Sequence, residues 1–181
     1  MKQIKQTKQP KPFEKLSRKE QKLRIVKDAI IQIENKRITP SNAGNYMRIF
    51  DLDSKSEMSI QKILKEDVNK CECCAKGALF ASCVINVNNV TRSDFYSDEE
   101  FQKEKLSKWF SDKELDTIET AFEGQVIVDS SGTLEVLVNG DHWEPTKLAN
   151  KAIKFGEQYR TSETRMLAIL NNILENGRFK L

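Results

Sequence analysis

Histidine is almost missing from this chain: one, His142, occurs in 181 residues. No G-x-S-x-G elbow accompanies it, so nucleophilic catalysis of the usual hydrolase kind has no support. A P-loop and a G-x-G-x-x-G turn are missing too, which leaves no phosphate cradle of a familiar pattern. The sequence holds no run of eighteen apolar residues, so no membrane span is expected. Residues 1–12 lack the apolar core of a secretory signal, and none is expected there. Cysteine is absent outside the stretch from Cys71 to Cys83, where Cys71, Cys73, Cys74 and Cys83 crowd together. Secreted disulfide scaffolds spread their cysteines along the chain, so this clustering points to a reducing, intracellular compartment.

What is abundant is charge. Charged residues make up 31% and hydrophobic residues 38%, which predicts a heavily solvated surface over a modest core. The net charge of +3 is unevenly placed. Residues 1–36 carry eleven Lys/Arg against four Asp/Glu, and residues 37–181 carry nineteen against twenty-three. A basic arm therefore precedes a mildly acidic body. Lys2, Lys5, Lys8 and Lys11 recur every third residue, and Arg18, Lys19, Lys22, Arg24 and Lys27 continue the stripe. Such a stripe attracts nucleic acid non-specifically and in a salt-sensitive way. No aromatic residue precedes Phe13, which favours the plainer account of a solubilising tail over residues 1–16.

Helix signals dominate the rest. Ser17-Arg-Lys-Glu20, Ser97-Asp-Glu-Glu100 and Ser111-Asp-Lys-Glu114 each have capping-box spacing. Leu23, Val26, Ile30 and Ile33 follow the first on one helical face, ending near Lys36. Thr39-Pro40 through Gly44-Asn45 reads as turn, and Tyr46–Leu52 as an extended segment or one more helical turn. Ser59–Glu66 reads as a short helix. A buried helix is expected from about Cys73 to Asn88, with Ala75, Ala78 and Ser82 forming a face of little bulk and Gly77 allowing close packing. Leu115, Ile118 and Phe122 mark the helix after Ser111. Pro145 suits the first position of a helix carrying Leu148, Ala152, Phe155 and Tyr159. A last helix from Ser162 carries Met166, Ile169, Leu170, Ile173 and Leu174 and ends at Gly177. Gln125–Val128 and Thr133–Val138 flank a glycine-containing turn and read as a β-hairpin over 125–139. The expected fold is mainly α: one domain over 17–181, a bundle of six or seven helices with one small β-hairpin.

Candidate chemistry is thin. Cys71-x-x-Cys74 has the spacing of half a zinc site. Cys83 and His142 would have to complete it, yet one helix shared by Cys74 and Cys83 would hold them roughly 13 Å apart. Small buried core thiols are the simpler account, and no metal or other cofactor is expected. Glu119 and Glu123 lie four apart, a metal-ligand spacing without an accompanying histidine, and read instead as a solvated or arginine-paired surface. Arg165 is a candidate buried cation for one of them. Arg37, Arg48, Arg160 and Arg165 are candidate phosphate ligands for a nucleotide-like small molecule. Val126, Val128 and Val136 of the hairpin, with His142 and Trp143 in the following turn, are candidate contacts for a partner protein, Trp143 being the anchor.

Three segments also carry a resemblance. Cys71-x-x-Cys74-Ala-Lys-Gly-Ala-Leu79, Leu115-x-x-Ile-Glu-x-Ala-Phe-Glu123 and Arg165-x-x-Ala-Ile-x-x-Asn-Ile-x-x-Asn-Gly177 resemble segments of a loosely defined set of small phage-encoded proteins without an assigned activity. The Pro40–Tyr46 turn resembles theirs as well. The likeness spans roughly residues 38–180 and is poor over 90–110 and 125–145. It carries over no catalytic residue. It implies an accessory or counter-defence protein in the cytoplasm of a bacterial host cell, one that binds and inhibits a host or defence protein or sequesters a small signal. An enzyme is not expected, and a homo-oligomer stays open.

Overall fold

The computed structural model describes residues 11–42, 47–49, 59–66, 71–87, 90 and 99–181. Most of the basic arm, the Gly44–Tyr46 part of the first turn, residues 50–52, Arg92 and the Ser97 capping box lie outside them. Among the described residues there are seven α-helices and two small three-stranded sheets, where one hairpin was expected. The fold is mixed α and β with helices dominant.

Helix α1 (Arg18–Glu34) begins as its sequence predicts. The Ser17 hydroxyl accepts from the Glu20 N–H at 3.3 Å, and the Glu20 carboxylate accepts from the Ser17 N–H at 2.8 Å. Ile25, Val26, Ala29, Ile30 and Ile33 bury one face. Just ahead of it, residues 13–16 are not part of a loose tail. Phe13 is buried, meets the Trp109 ring edge to face at 6.0 Å, and its carbonyl accepts from Gln21 Nε2. One buried aromatic anchors what composition alone assigned to the arm.

Lys36 takes a left-handed backbone (φ 59°) and turns the chain into strand β1 (Ile38–Pro40). Strand β2 (Met47–Ile49) lies on the far side of β3 (Cys71–Cys73), which is central in the first sheet. The pairing is parallel for β1 with β3 and antiparallel for β2 with β3. Thr39-Pro40, read as turn, is therefore strand, with the proline on an edge where its missing N–H is tolerated. Cys73, read as the start of a helix, is strand as well. Helix α2 (Ile60–Glu66) sits where the sequence placed it.

Helix α3 (Ala75–Val87) is buried without a break from Ala75 to Val84. It packs against α1, α2, α4 (Glu99–Ser107) and α5 (Asp112–Glu123), so it is the central post of the bundle. Ser111 caps α5 by accepting from the Glu114 N–H. Helix α6 (Lys147–Gly156) is capped by Thr146, which accepts from the Ala149 N–H at 3.0 Å, so Pro145 precedes the cap and is not the first helical residue. Helix α7 (Ser162–Asn176) packs on α1 and α5 and closes at Gly177 with φ 72°.

The second sheet is a meander of β4 (Gln125–Val128), β5 (Leu134–Val138) and β6 (Asp141–Trp143). The Asp129 carboxylate accepts from the Ser131 and Thr133 N–H groups at 2.8 Å each and folds the first turn. Asn139 (φ 51°) and Gly140 (φ 89°) make the second, a two-residue turn whose two positive φ angles match the twist of the strands. Val136 and Val138 pack against Ala149 and Ile153 of α6, forming a small cluster separate from the main core.

Candidate functional site

Strand register sorts the second sheet into two faces. Val126 lies opposite Val136, Val136 opposite Trp143, and Val128 opposite Leu134. Directly opposed residues share a face, so these five side chains stand together. Helix α6 covers only part of that face. Val136 is fully buried, whereas Val126, Leu134, Trp143 and Val128 are exposed, Val128 by 64%. Val136 therefore belongs to the small cluster and is not available to a partner, which corrects its place among the candidate contacts. His142 and Trp143 do not form one turn. They are neighbours on β6 and point to opposite faces, with His142 Nδ1 2.8 Å from Glu135 Oε2 on the other side.

Beside this face opens a cleft of about 530 Å³ between α5, α6 and β6. Trp143 and the exposed Leu148 form an apolar lip. At its floor Lys76 of α3, 1% exposed, holds Glu119 of α5 at 2.6 Å. A second pair, Lys103 with Asp116, stands at 3.0 Å nearer solvent. Three lysines and three carboxylates line the cleft, so it has no surplus of either sign.

No family model matches the chain. No curated protein and no solved structure matches it either.

The four candidate arginines do not line the cleft. Arg165, half-buried on α7, donates to the carbonyls of Phe122 at 2.8 Å and Tyr159 at 3.3 Å, so it braces a helix junction and does not pair with Glu119. Arg37 borders a space of only about 10 Å³, too small for a nucleotide. Arg48 lies on β2 in register with Glu72, and Arg160 is exposed between α6 and α7.

The cysteines are all buried. Cys71 and Cys73 share the inward face of β3, and Cys74 precedes α3 instead of sharing it with Cys83. Among the described residues no group of three His, Cys, Asp or Glu side chains gathers to hold a metal ion, so Cys71 and Cys74 gain no further ligand. Burial pushes the Cys83 thiol up to about 12, against the pull of Lys105 and Lys108. Burial raises Cys73 and Cys74 as well, the latter aided by the nearby Glu123 charge. Thiols held protonated are poor nucleophiles.

The basic stripe on α1 is shorter than the sequence implies. Arg18, Lys19, Arg24 and Lys27 face solvent, but Lys22 is buried, 2.7 Å from Glu114 and over the Phe110 ring. Among the described residues no helix is long and apolar enough to cross a membrane.

The buried Lys76–Glu119 pair was not read from the sequence, although a signal was there. Lys76 is a lone charge in the most apolar stretch of the chain. A helix buried on every side must neutralise such a charge with a carboxylate from a neighbouring element.

Proposed function

We propose that this chain works by docking on another protein through the exposed face of the second sheet and the lip of the cleft. The observation that carries the reading is that Val126, Val128 and Leu134 stand uncovered on one sheet face, with Trp143 and Leu148 exposed beyond the covered Val136. Large apolar side chains grouped on one face mark an interaction site, whereas the same residues scattered singly would not. A tryptophan with a polar surround is a frequent hot spot. The buried thiols and the charge-balanced cleft support binding over bond-making.

For this activity we propose the setting that the resemblance of the Cys71, Leu115 and Arg165 segments to small phage-encoded proteins implies: inhibition of a bacterial host or defence protein. The test compares the chain with Trp143→Ala and Val128→Asp in affinity capture from bacterial lysate, with Ile31→Ser, an exposed apolar residue on α1, as control. A partner kept by the control and lost by both sheet variants is the expected result. A partner kept by all variants removes this face from the account.

A second reading, capture of a nucleotide-like signal, is favoured by the cleft volume, which lies in the range of small-ligand sites. Its lining lacks the surplus of cations a phosphate needs. Thermal shift against cyclic nucleotides tests it, and an unmoved midpoint at high concentration counts against it.

A further inference from the structure

The outer edge of β4 has a chemistry that docking on the face alone does not use. The Asp129 N–H donates to the Thr133 carbonyl at 2.9 Å, and the ladder continues through Ile127 with Glu135 and Gln125 with Leu137. Hydrogen-bonded positions alternate along an antiparallel pair. The N–H and C=O groups of Val126 and Val128 therefore point away from β5. Among the described residues no hydrogen bond reaches them.

Natural edge strands are usually blunted by a charge, a proline or a bulge. The opposite edge of this sheet is blunted that way: β6 carries Asp141 and His142 and runs into Glu144-Pro145. Strand β4, Gln125-Val-Ile-Val128, has none of these features. The segment that carries it is charged with one sign. Residues 123–145 contain Glu123, Asp129, Glu135, Asp141 and Glu144 and no lysine or arginine. A groove of about 430 Å³ beside Gln125 is lined by Asn42, Glu123, Leu137, Asn139 and Gly140, with a carboxylate and no cation. Two copies of this chain joined at β4 would bring these carboxylates together, and like charges oppose such a pairing.

We propose that the β4 edge is a strand-addition site for an extended segment of a partner protein in which apolar residues alternate with lysine or arginine. The proposal rests on the docking reading above and names the chemistry of the partner. The added strand takes its register from the outward groups of Val126 and Val128. Its apolar side chains extend the row of Val126 and Val128, and its cations lie on the other face, toward Glu135, and at the turn end, toward Asp129.

The test uses the full chain and two short synthetic peptides, one alternating valine with lysine and one alternating valine with glutamate. Fluorescence anisotropy reads binding, and amide hydrogen exchange reads the site. The lysine peptide is expected to bind, to weaken as salt is raised, and to protect the Val126 and Val128 amides; the glutamate peptide is expected not to bind. Val126→Pro removes an N–H that the β4–β5 ladder does not use, and is expected to lower affinity about tenfold. Exchange at Val126 and Val128 in the unsubstituted chain decides the matter even if Val126→Pro fails to fold. No binding of the lysine peptide, equal binding of both peptides, or unchanged exchange at Val126 and Val128 overturns the proposal. Self-association that protects those same amides also overturns it, with a second copy as the occupant. If the captured partner is lost with Trp143→Ala but held fully by a folded Val126→Pro, docking on the face stands and strand addition falls.

Discussion

Lys76 Nζ lies 2.6 Å from Glu119 Oε2, joining the central helix α3 to α5 inside the molecule. Taking both charges from water is costly, and each is tolerable because the other is there. Lys76→Met is expected to cost about 3–5 kcal/mol by leaving a buried carboxylate uncompensated, and Lys76→Met with Glu119→Leu to recover much of that loss. Urea unfolding of the two singles and the double measures the coupling. A single Lys76→Met variant as stable as the parent would falsify the structural role of the pair.

Helices α5 and α6 touch backbone to backbone. A methyl group added at Gly156 would overlap the Ala121 carbonyl, and one at Gly124 would overlap the Thr120 carbonyl and crowd Ile153. The two carbonyls are backbone and cannot swing aside. Gly156→Ala is expected to destabilise by about 1–3 kcal/mol despite the better helix propensity of alanine. Thermal melts check this, and an unchanged or raised midpoint would show that the helices part without cost.

Asp28 on α1 sits beside Gln32 and Ser82. Burial raises its carboxyl above the ordinary 3.8, and hydrogen bonding from Gln32 Nε2 only partly opposes the shift. A raised folded-state value means the native protein holds the proton more tightly than the unfolded chain. The ionised form therefore costs stability. The cost is absent below 3.8, grows as pH rises through the raised value, and is complete above it. Asp28→Asn is expected to raise the melting temperature at neutral pH and to flatten its pH dependence in the acid range. The same pH slope in both proteins would contradict this.

The four thiols give a further check on packing. Ellman's reagent at mild alkaline pH is expected to titrate none of them in the native protein and all four in concentrated urea, because every one is buried. Rapid reaction of Cys71 or Cys74 in the folded state would place a sulfur in contact with solvent and reopen its use in chemistry.

Legibility in the sequence followed the range of the interactions. The cap of α1 was readable because Ser17 and Glu20 are three residues apart and satisfy each other's backbone. The stop at Gly177 was readable because only a few residue types accept its left-handed backbone. The β4–β5 hairpin was readable from two apolar strands around a short turn. The first sheet was not. Its strands have three residues each, too few for a period, and β1 meets β3 across a long stretch of intervening chain. Parallel pairing at that separation leaves no local mark. Trp143 is exposed and Val136 is buried although both belong to one face, because alternation assigns a face and does not say what covers that face.

The sequence by itself determined where helices start and stop, that the molecule has an apolar post at its centre, and which strand residues share a side. Those features depend on neighbours a few positions away, whose contacts form wherever the chain is. Tertiary structure alone decided that Lys76 finds Glu119, that α6 shields Val136 and Val138 yet leaves Val126 and Val128 bare, and that Arg165 is taken up by carbonyls. Each is an outcome of distant segments competing for the same surface, and that competition is resolved only when the elements pack.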